Sequence, residues 1–339
     1  SLNIHEVDFL PCPNMGGPYR EMKTYSHYAY IVSETDSSSI QIVVLQYLPD
    51  SIRYVGLKTF PGYKKSHTIS QEGPYLYLNG NNLEFGAQLA VLDLSFDPEN
   101  PILRDKWNLF GVHDSRILRD TIYAANIGDN LISIIDARNK DNLVTIRSFP
   151  TTPIISPHNC AVTNDRKYLL SSDETIGGKL KIWDIHDIFD PILLGRYNPI
   201  GFSDAVIHNV VISDNYAVMA YYTAGVQVLD ISNPANPLLA GFYDTFQDNN
   251  FGDYDGCWAV YRFTSGKIIA SDRKYGLFVL RVKPQLTAVP AANFISDEPD
   301  IHIKESVRFL DISTGNPSLW NWTITGPQNF NYNVKDPVV

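Results

Sequence analysis

Histidine stands at four positions, His67, His113, His158 and His208, separated by 46, 45 and 50 residues. Imidazole is the side chain best suited to move protons near neutral pH and to ligate a transition metal. Four of the chain's eight histidines fall in this one series. Their spacing is far too long for a local metal motif. Only a fold with a matching period brings them together. Asp114, Asn159 and Asn209 directly follow three of them and can orient the rings by hydrogen bonding. Arg20 and Trp258 occupy the same register in two further copies, so the candidate site is Arg20, His67, His113, Asp114, His158, Asn159, His208, Asn209 and Trp258.

A second marker keeps the same period. An aspartate ends an apolar run at Asp93, Asp136, Asp184 and Asp230, with steps of 43, 48 and 46 residues. A shared period near 46 with β-type content points to a propeller. Six copies are expected, each of four short strands, the first opening at the histidine position. The alternation of apolar and polar residues has period two, as strands require. Copy six lacks a fourth strand, and Leu2–Leu10 matches the fourth-strand pattern, so the N-terminal strand is expected to complete the last blade and remove two open edges. The aspartates are expected to cap turns, because Asp and Asn bond neighbouring backbone N–H groups and the following Pro residues fix φ.

Composition agrees with an all-β chain. There are 21 Gly, 21 Pro and 20 Tyr, with no long helical pattern. The net charge is −10 and no Lys/Arg cluster exists, which argues against nucleic acid and anionic membranes as partners. Cys12, Cys160 and Cys257 are an odd number without metal-knuckle spacing, and are expected to be free or buried. No apolar run is long enough to cross a membrane as a helix, and the chain is expected to be a mature form without its signal peptide. Domain boundaries are expected at 1–283 (propeller), 284–293 (linker) and 294–339, where strand and turn signals lose the repeat and suggest part of a small β-sandwich.

The apolar run ending in Asp, followed by Ser-Asn-Pro-x-Asn-Pro, resembles the LVIVD repeat. With Arg20-Glu21-Met22, Tyr28–Glu34, Ser66-His67, Val112-His113-Asp114, His208-Asn209, Tyr222–Gly225 and Gly276–Leu280, residues 1–283 resemble the repeat region of the choice-of-anchor B family. That resemblance implies a secreted or surface-attached bacterial protein and no established activity. Residues 294–339 resemble the first part of a PKD domain, through Asp311–Gly315 and Trp320-Asn321-Trp322.

The histidine series admits three readings: packing within each blade, a solvent-facing ligand site, or a metal centre at His67, His113, His158 and His208. The acidic loop 244–255 offers oxygen ligands for Ca²⁺, though without EF-hand spacing. No Gly-x-Ser-x-Gly, P-loop or His-Glu-x-x-His motif occurs. Two functions follow. One is a non-catalytic extracellular or cell-surface binding and adhesion module for a protein or glycan, using the propeller mouth. The other is a metal-dependent hydrolase or lyase acting on a saccharide-type substrate, with Asp114, Asp253 or Asp255 as base. Convergence of three or more histidines favours the second; dispersed histidines favour the first.

Overall fold

The computed structural model describes residues 6–13, 19–152, 156–249, 251–281, 292–297, 306–313, 317 and 319–339. The chain is an all-β, six-bladed propeller. Sheet one holds β1 (Arg20–Tyr25), β2 (Tyr28–Ser33), β3 (Ile40–Val44) and β4 (Arg53–Lys58). Sheet two holds β5 (Thr68–Glu72), β6 (Tyr75–Asn79), β7 (Leu89–Asp93) and β8 (Ile102–Trp107). Sheet three holds β9 (Asp114–Leu118), β10 (Thr121–Asn126), β11 (Leu131–Asp136) and β12 (Val144–Pro150). Sheet four holds β13 (Pro157–Val162), β14 (Tyr168–Asp173), β15 (Leu180–Asp184) and β16 (Ile192–Tyr197). Sheet five holds β17 (Val210–Ser213), β18 (Tyr216–Tyr221), β19 (Gly225–Asp230) and β20 (Leu238–Tyr243). Sheet six holds β21 (Cys257–Arg262), β22 (Lys267–Asp272) and β23 (Gly276–Arg281). Contacts group the chain into two compact units, one of residues 1–173 and 182–194, the other of 174–181 and 195–339.

Within the first unit the core lies between the faces of consecutive sheets. On β6 and β7, Leu76, Leu78, Ala90 and Leu92 pack against Tyr30, Val32, Ile40 and Ile42 of sheet one. The alternate residues Tyr77, Leu89 and Val91 pack the other way, against Ile117, Ile122 and Ile135 of sheet three. Both faces are buried, so the central strands read as continuous apolar runs rather than as a strict alternation. In the second unit Val218, Val226 and Val228 meet Cys257, Ile268 and Ala270 in the same manner.

The repeated aspartates do what the turn chemistry predicts. Oδ1 of Asp93, Asp136, Asp184 and Asp230 accepts the N–H two residues on, at 2.8–2.9 Å. The residue after each, Leu94, Ala137, Ile185 or Ile231, donates its N–H back to the start of the second strand and is buried. One strand-ending residue thus shapes the turn while its neighbour is pinned into the core.

Two expectations are corrected. Glu6–Leu10 forms no strand, and sheet six has three strands; residues 1–5 lie outside the described residues. Asp8 instead accepts the N–H groups of Phe9 and Ile52, and the Pro11 carbonyl accepts from Gln41. Pro11 and Pro13 have no N–H to give a ladder. The C-terminal segment forms two-stranded sheets, β24 (Phe294–Ser296) with β25 (Phe309–Asp311) and β26 (Trp322–Ile324) with β27 (Phe330–Tyr332). Val307 and Val339 exchange both backbone hydrogen bonds beside them. Among the described residues these short ladders replace the expected PKD-like sandwich; three-residue strands bury too little for two packed sheets. The expected linker lies outside the described residues, apart from Ala292 and Asn293.

Cys160 and Cys257 are buried, 2% and 0% exposed. Burial, with Asp114 near one and Asp272 near the other, pushes both thiols well above the usual range. The thiolate is the reactive form. In the folded protein at pH 8, both are expected to stay unlabelled by a disulfide reagent and to react only on unfolding. Rapid labelling of either, followed by mass spectrometry, contradicts this packing.

Candidate metal centre

Three of the four histidines are positioned by one recurring backbone bond. The N–H groups of His67, His113 and His208 donate to the carbonyls of Asn79, Ala125 and Ala220, each twelve residues on, at 2.9 Å. That bond ties the histidine to the end of its blade's second strand, so the regular ladder starts after it. β5 and β9 begin one residue beyond the histidine and β17 two beyond, rather than at the histidine as expected; His158 lies inside β13. Lateral bonds fix neighbouring first strands. Thr68 Oγ1 donates to the His113 carbonyl at 2.8 Å, Ser70 Oγ to the Ser115 carbonyl at 2.5 Å, and the Ile69 N–H to Glu21 Oε2 at 3.1 Å.

This register brings three imidazoles together in the first unit. The ring centres of His67 and His113 are 3.8 Å apart, and those of His113 and His158 are 4.1 Å apart. One ring nitrogen from each lies within 4.8 Å of the other two. His158 is 2% exposed. Burial, reinforced by the neighbouring imidazoles, pushes the His113 pKa far down, so its ring is neutral. Among the described residues, Nδ1 of His113 is buried with no hydrogen-bond partner. His67 differs: burial opposes its protonation, but Glu34, bonded to Nδ1, with the charges of Asp114 and Glu21, outweighs burial and raises its pKa.

Asp114 is fully buried beside this stack. Its Oδ1 accepts the Ser115 N–H at 2.7 Å and its Oδ2 accepts Asn159 Nδ2 at 2.6 Å. Burial and then the Glu21 charge push its pKa up to about 7, against the pull of Lys23, Asn159 and Ser115. The carboxyl therefore changes protonation where catalytic bases work.

His208 belongs to the second unit, where it packs against Tyr222 and Trp258, with ring centres at 5.3 and 4.9 Å. Its Nε2 is 4.0 Å from Glu174 Oε1, and Tyr222 Oη donates to the same oxygen at 2.6 Å. Asn209 Oδ1 is buried without a partner. Arg20 heads β1, and its Nε is likewise buried without a partner.

Sequence reasoning missed Glu34 and Glu174. Each directly follows the second strand of its sheet and meets the histidine that opens the next copy, 33 and 34 residues on. A Glu at that interval before a slot histidine is the signal that was there to read.

Residues 207–245 match the LVIVD repeat. No curated protein matches the chain by sequence. Several solved structures share its fold. A periplasmic gluconolactonase of Pseudomonas aeruginosa is 11% identical with a TM-score of 0.59, covering 79% of this chain and 81% of that one. A putative 6-phosphogluconolactonase of Bacteroides fragilis is 13% identical, TM-score 0.57, covering 94% and 84%. The Cps50 (Swd1) β-propeller domain of Myceliophteria thermophila is 11% identical, TM-score 0.53, covering 78% and 82%. At these identities the likeness is one of fold.

The residues of the stack fit a transition metal such as Zn²⁺. Tetrahedral ligands at about 2.1 Å from an ion lie roughly 3.4 Å apart, within the 4.8 Å limit the three ring nitrogens meet, and the stacked rings have to spread from 3.8 and 4.1 Å between centres to bind one ion. A neutral imidazole with an unpartnered buried nitrogen is the ligating form. Glu34 on Nδ1 of His67 leaves Nε2 as that ring's ligating nitrogen, the usual carboxylate–histidine arrangement. The acidic loop 244–255 fits Ca²⁺ poorly. Asp244, Asn249 and Asp253 accept N–H groups of their own turn, and Asp248 pairs with Lys274 and Tyr275. Among the described residues no three of its carboxylates gather.

Proposed function

We propose that the chain is a metal-dependent hydrolase acting on a saccharide-type ester or lactone. The convergence of His67, His113 and His158 carries this reading. A metal held there supplies Lewis acidity, polarising an acyl oxygen and acidifying water. The protein's own groups do the rest. Glu34 fixes the tautomer of His67. Asn159 and the Ser115 N–H aim the Asp114 carboxylate, which takes the proton from water as it attacks. The buried histidines limit competing solvent. Arg20 is proposed as a binding residue of this site in the first unit; in the second unit, described by itself, Asn209 and Trp258 are proposed as binding residues and His208 as a ligand. From the lactonases of like fold we take only the first substrates to screen, lactones of sugar acids.

A non-catalytic binding module on a cell surface, of the choice-of-anchor B type, is the second reading. It is favoured by the satisfaction of the His67, His113 and His208 N–H groups within their own blades. Secretion belongs to that reading as well as to the first. The deciding experiment is hydrolysis of a sugar-acid lactone panel by protein stripped with a chelator and then reloaded with Zn²⁺, Mn²⁺ or Co²⁺. Metal-restored turnover supports the hydrolase. Absence of turnover with every metal leaves the binding reading.

A further inference from the structure

The C-terminal segment contains a cleft of about 500 Å³ lined by Phe294, Phe309, Leu319, Trp320, Trp322 and polar neighbours. It is separate from the histidine stack and independent of the hydrolase reading. Phe294, Phe309 and Trp322 form its packed aromatic wall, with ring centres 5.1–6.0 Å apart. Phe294 is 54% exposed and Leu319 88%. Apolar side chains so exposed beside a formed cleft mark a contact surface.

The polar groups select the ligand class. Trp320 Nε1 donates to Asp311 Oδ2 at 2.8 Å, and Trp322 Nε1 donates to the Val334 carbonyl at 2.9 Å. Both indole planes are thereby locked. Neither N–H is left to bond the carbonyls of a proline-rich peptide, the usual use of tryptophan in such grooves. Among the described residues no Lys or Arg lines this cleft, which disfavours a phosphate or a carboxylate. What remains is ring faces beside the exposed amide of Asn321; the Ser313 hydroxyl donates to the Asn293 carbonyl and the Thr323 hydroxyl to Asn331 Oδ1, so each is left only as an acceptor. An amide both donates and accepts, as vicinal sugar hydroxyls do. The apolar C–H face of a pyranose lies on an aromatic ring. A second cleft of about 440 Å³ shares Phe294 as a wall, which suits a chain of sugars better than a single ring.

We infer that the cleft walled by Phe294, Phe309 and Trp322 carries a binding site for a neutral oligosaccharide, with Trp320 as the stacking residue and Asn321 as the hydroxyl-reading one. The test titrates the full chain with cellobiose, maltose and N,N′-diacetylchitobiose, following tryptophan fluorescence and calorimetric heat. At least one is expected to bind with a Kd of about 1 mM or tighter. Trp320→Ala is expected to weaken it about tenfold or more. Asn321→Ala, whose exposed side chain makes no hydrogen bond among the described residues, is expected to weaken it several-fold with the near-ultraviolet spectrum unchanged. His113→Ala is expected to bind as wild type, which keeps this result apart from the hydrolase reading. Three outcomes overturn the inference: no binding of any of the three sugars, binding unaffected by both cleft variants, or binding of a polyproline peptide in their place.

Discussion

Replacing Asp114 with asparagine is expected to raise the stability of the metal-free protein at pH 8 by on the order of 2 kcal/mol and, on the proposed hydrolase reading, to lower hydrolysis by about 10²- to 10⁴-fold. Asp114 is fully buried, and its folded pKa is raised from the usual carboxylate value to about 7. Below about pH 4 both folded and unfolded chains hold the proton, and the carboxyl costs nothing. As pH rises from there through 7, the unfolded chain releases its proton first, so the folded state loses stability across that window. Asparagine has no charge to bury and keeps an acceptor for the Ser115 N–H; its N–H₂ takes the place of the oxygen that accepts Asn159 Nδ2, so Asn159 has to turn its amide oxygen toward it, which subtracts from the gain. The stability gain is therefore expected to grow from pH 4 to pH 8 in urea titrations. A variant less stable than wild type at pH 8 contradicts the buried-charge account. Unchanged turnover denies Asp114 its role as base. A gain in stability coupled to a loss of activity is what a site residue, as opposed to a packing residue, produces.

Gly225→Ala is expected to destabilise the protein by on the order of 3–5 kcal/mol. Gly225 opens β19 at φ +69°. A Cβ placed there lies 2.2 Å from the Tyr243 carbonyl oxygen and 2.8 Å from Asp244 Cα and Thr245 N. All three obstacles are backbone, so no side chain can swing aside. The left-handed φ adds its own cost for any residue with a Cβ. Gly276, which opens β23 at φ +80°, has open space at the same atom, and Gly276→Ala is the control. The two denaturation midpoints should separate widely. Similar midpoints would mean that the strand end next to Tyr243 yields easily.

The parts of this protein that were legible in its sequence are those that repeat. The slot histidine and the Asp-terminated apolar run are each written four times, so a single aberrant copy does not hide them. The turn role of Asp93, Asp136, Asp184 and Asp230 follows from side-chain chemistry within two residues, and the structure repeats it each time. The convergence of three histidines follows from register, once the first strands adjoin. Glu34 was harder to see because its partner is 33 residues away in another blade and the pair recurs only as Glu174 with His208. The elevated pKa of Asp114 depends on burial and on Glu21 in a different sheet, which no local pattern encodes. The N-terminal strand was misread because an alternating pattern fits several edges equally well. Asp8, bonded to the Ile52 N–H, and the two prolines hold the described part of that segment elsewhere.

The account rests on His67, His113 and His158 holding one metal ion. The most direct measurement is the metal content of the full chain by inductively coupled plasma mass spectrometry, after purification without metal resin, equilibration with Zn²⁺ and extensive dialysis. The His113→Ala/His158→Ala variant is treated in parallel, with its far-ultraviolet spectrum recorded. The account predicts close to one zinc per wild-type chain and essentially none in a variant that keeps its β spectrum. Metal-free wild type, or equal zinc in both proteins, would contradict it and assign the histidine stack to the packing of the blades.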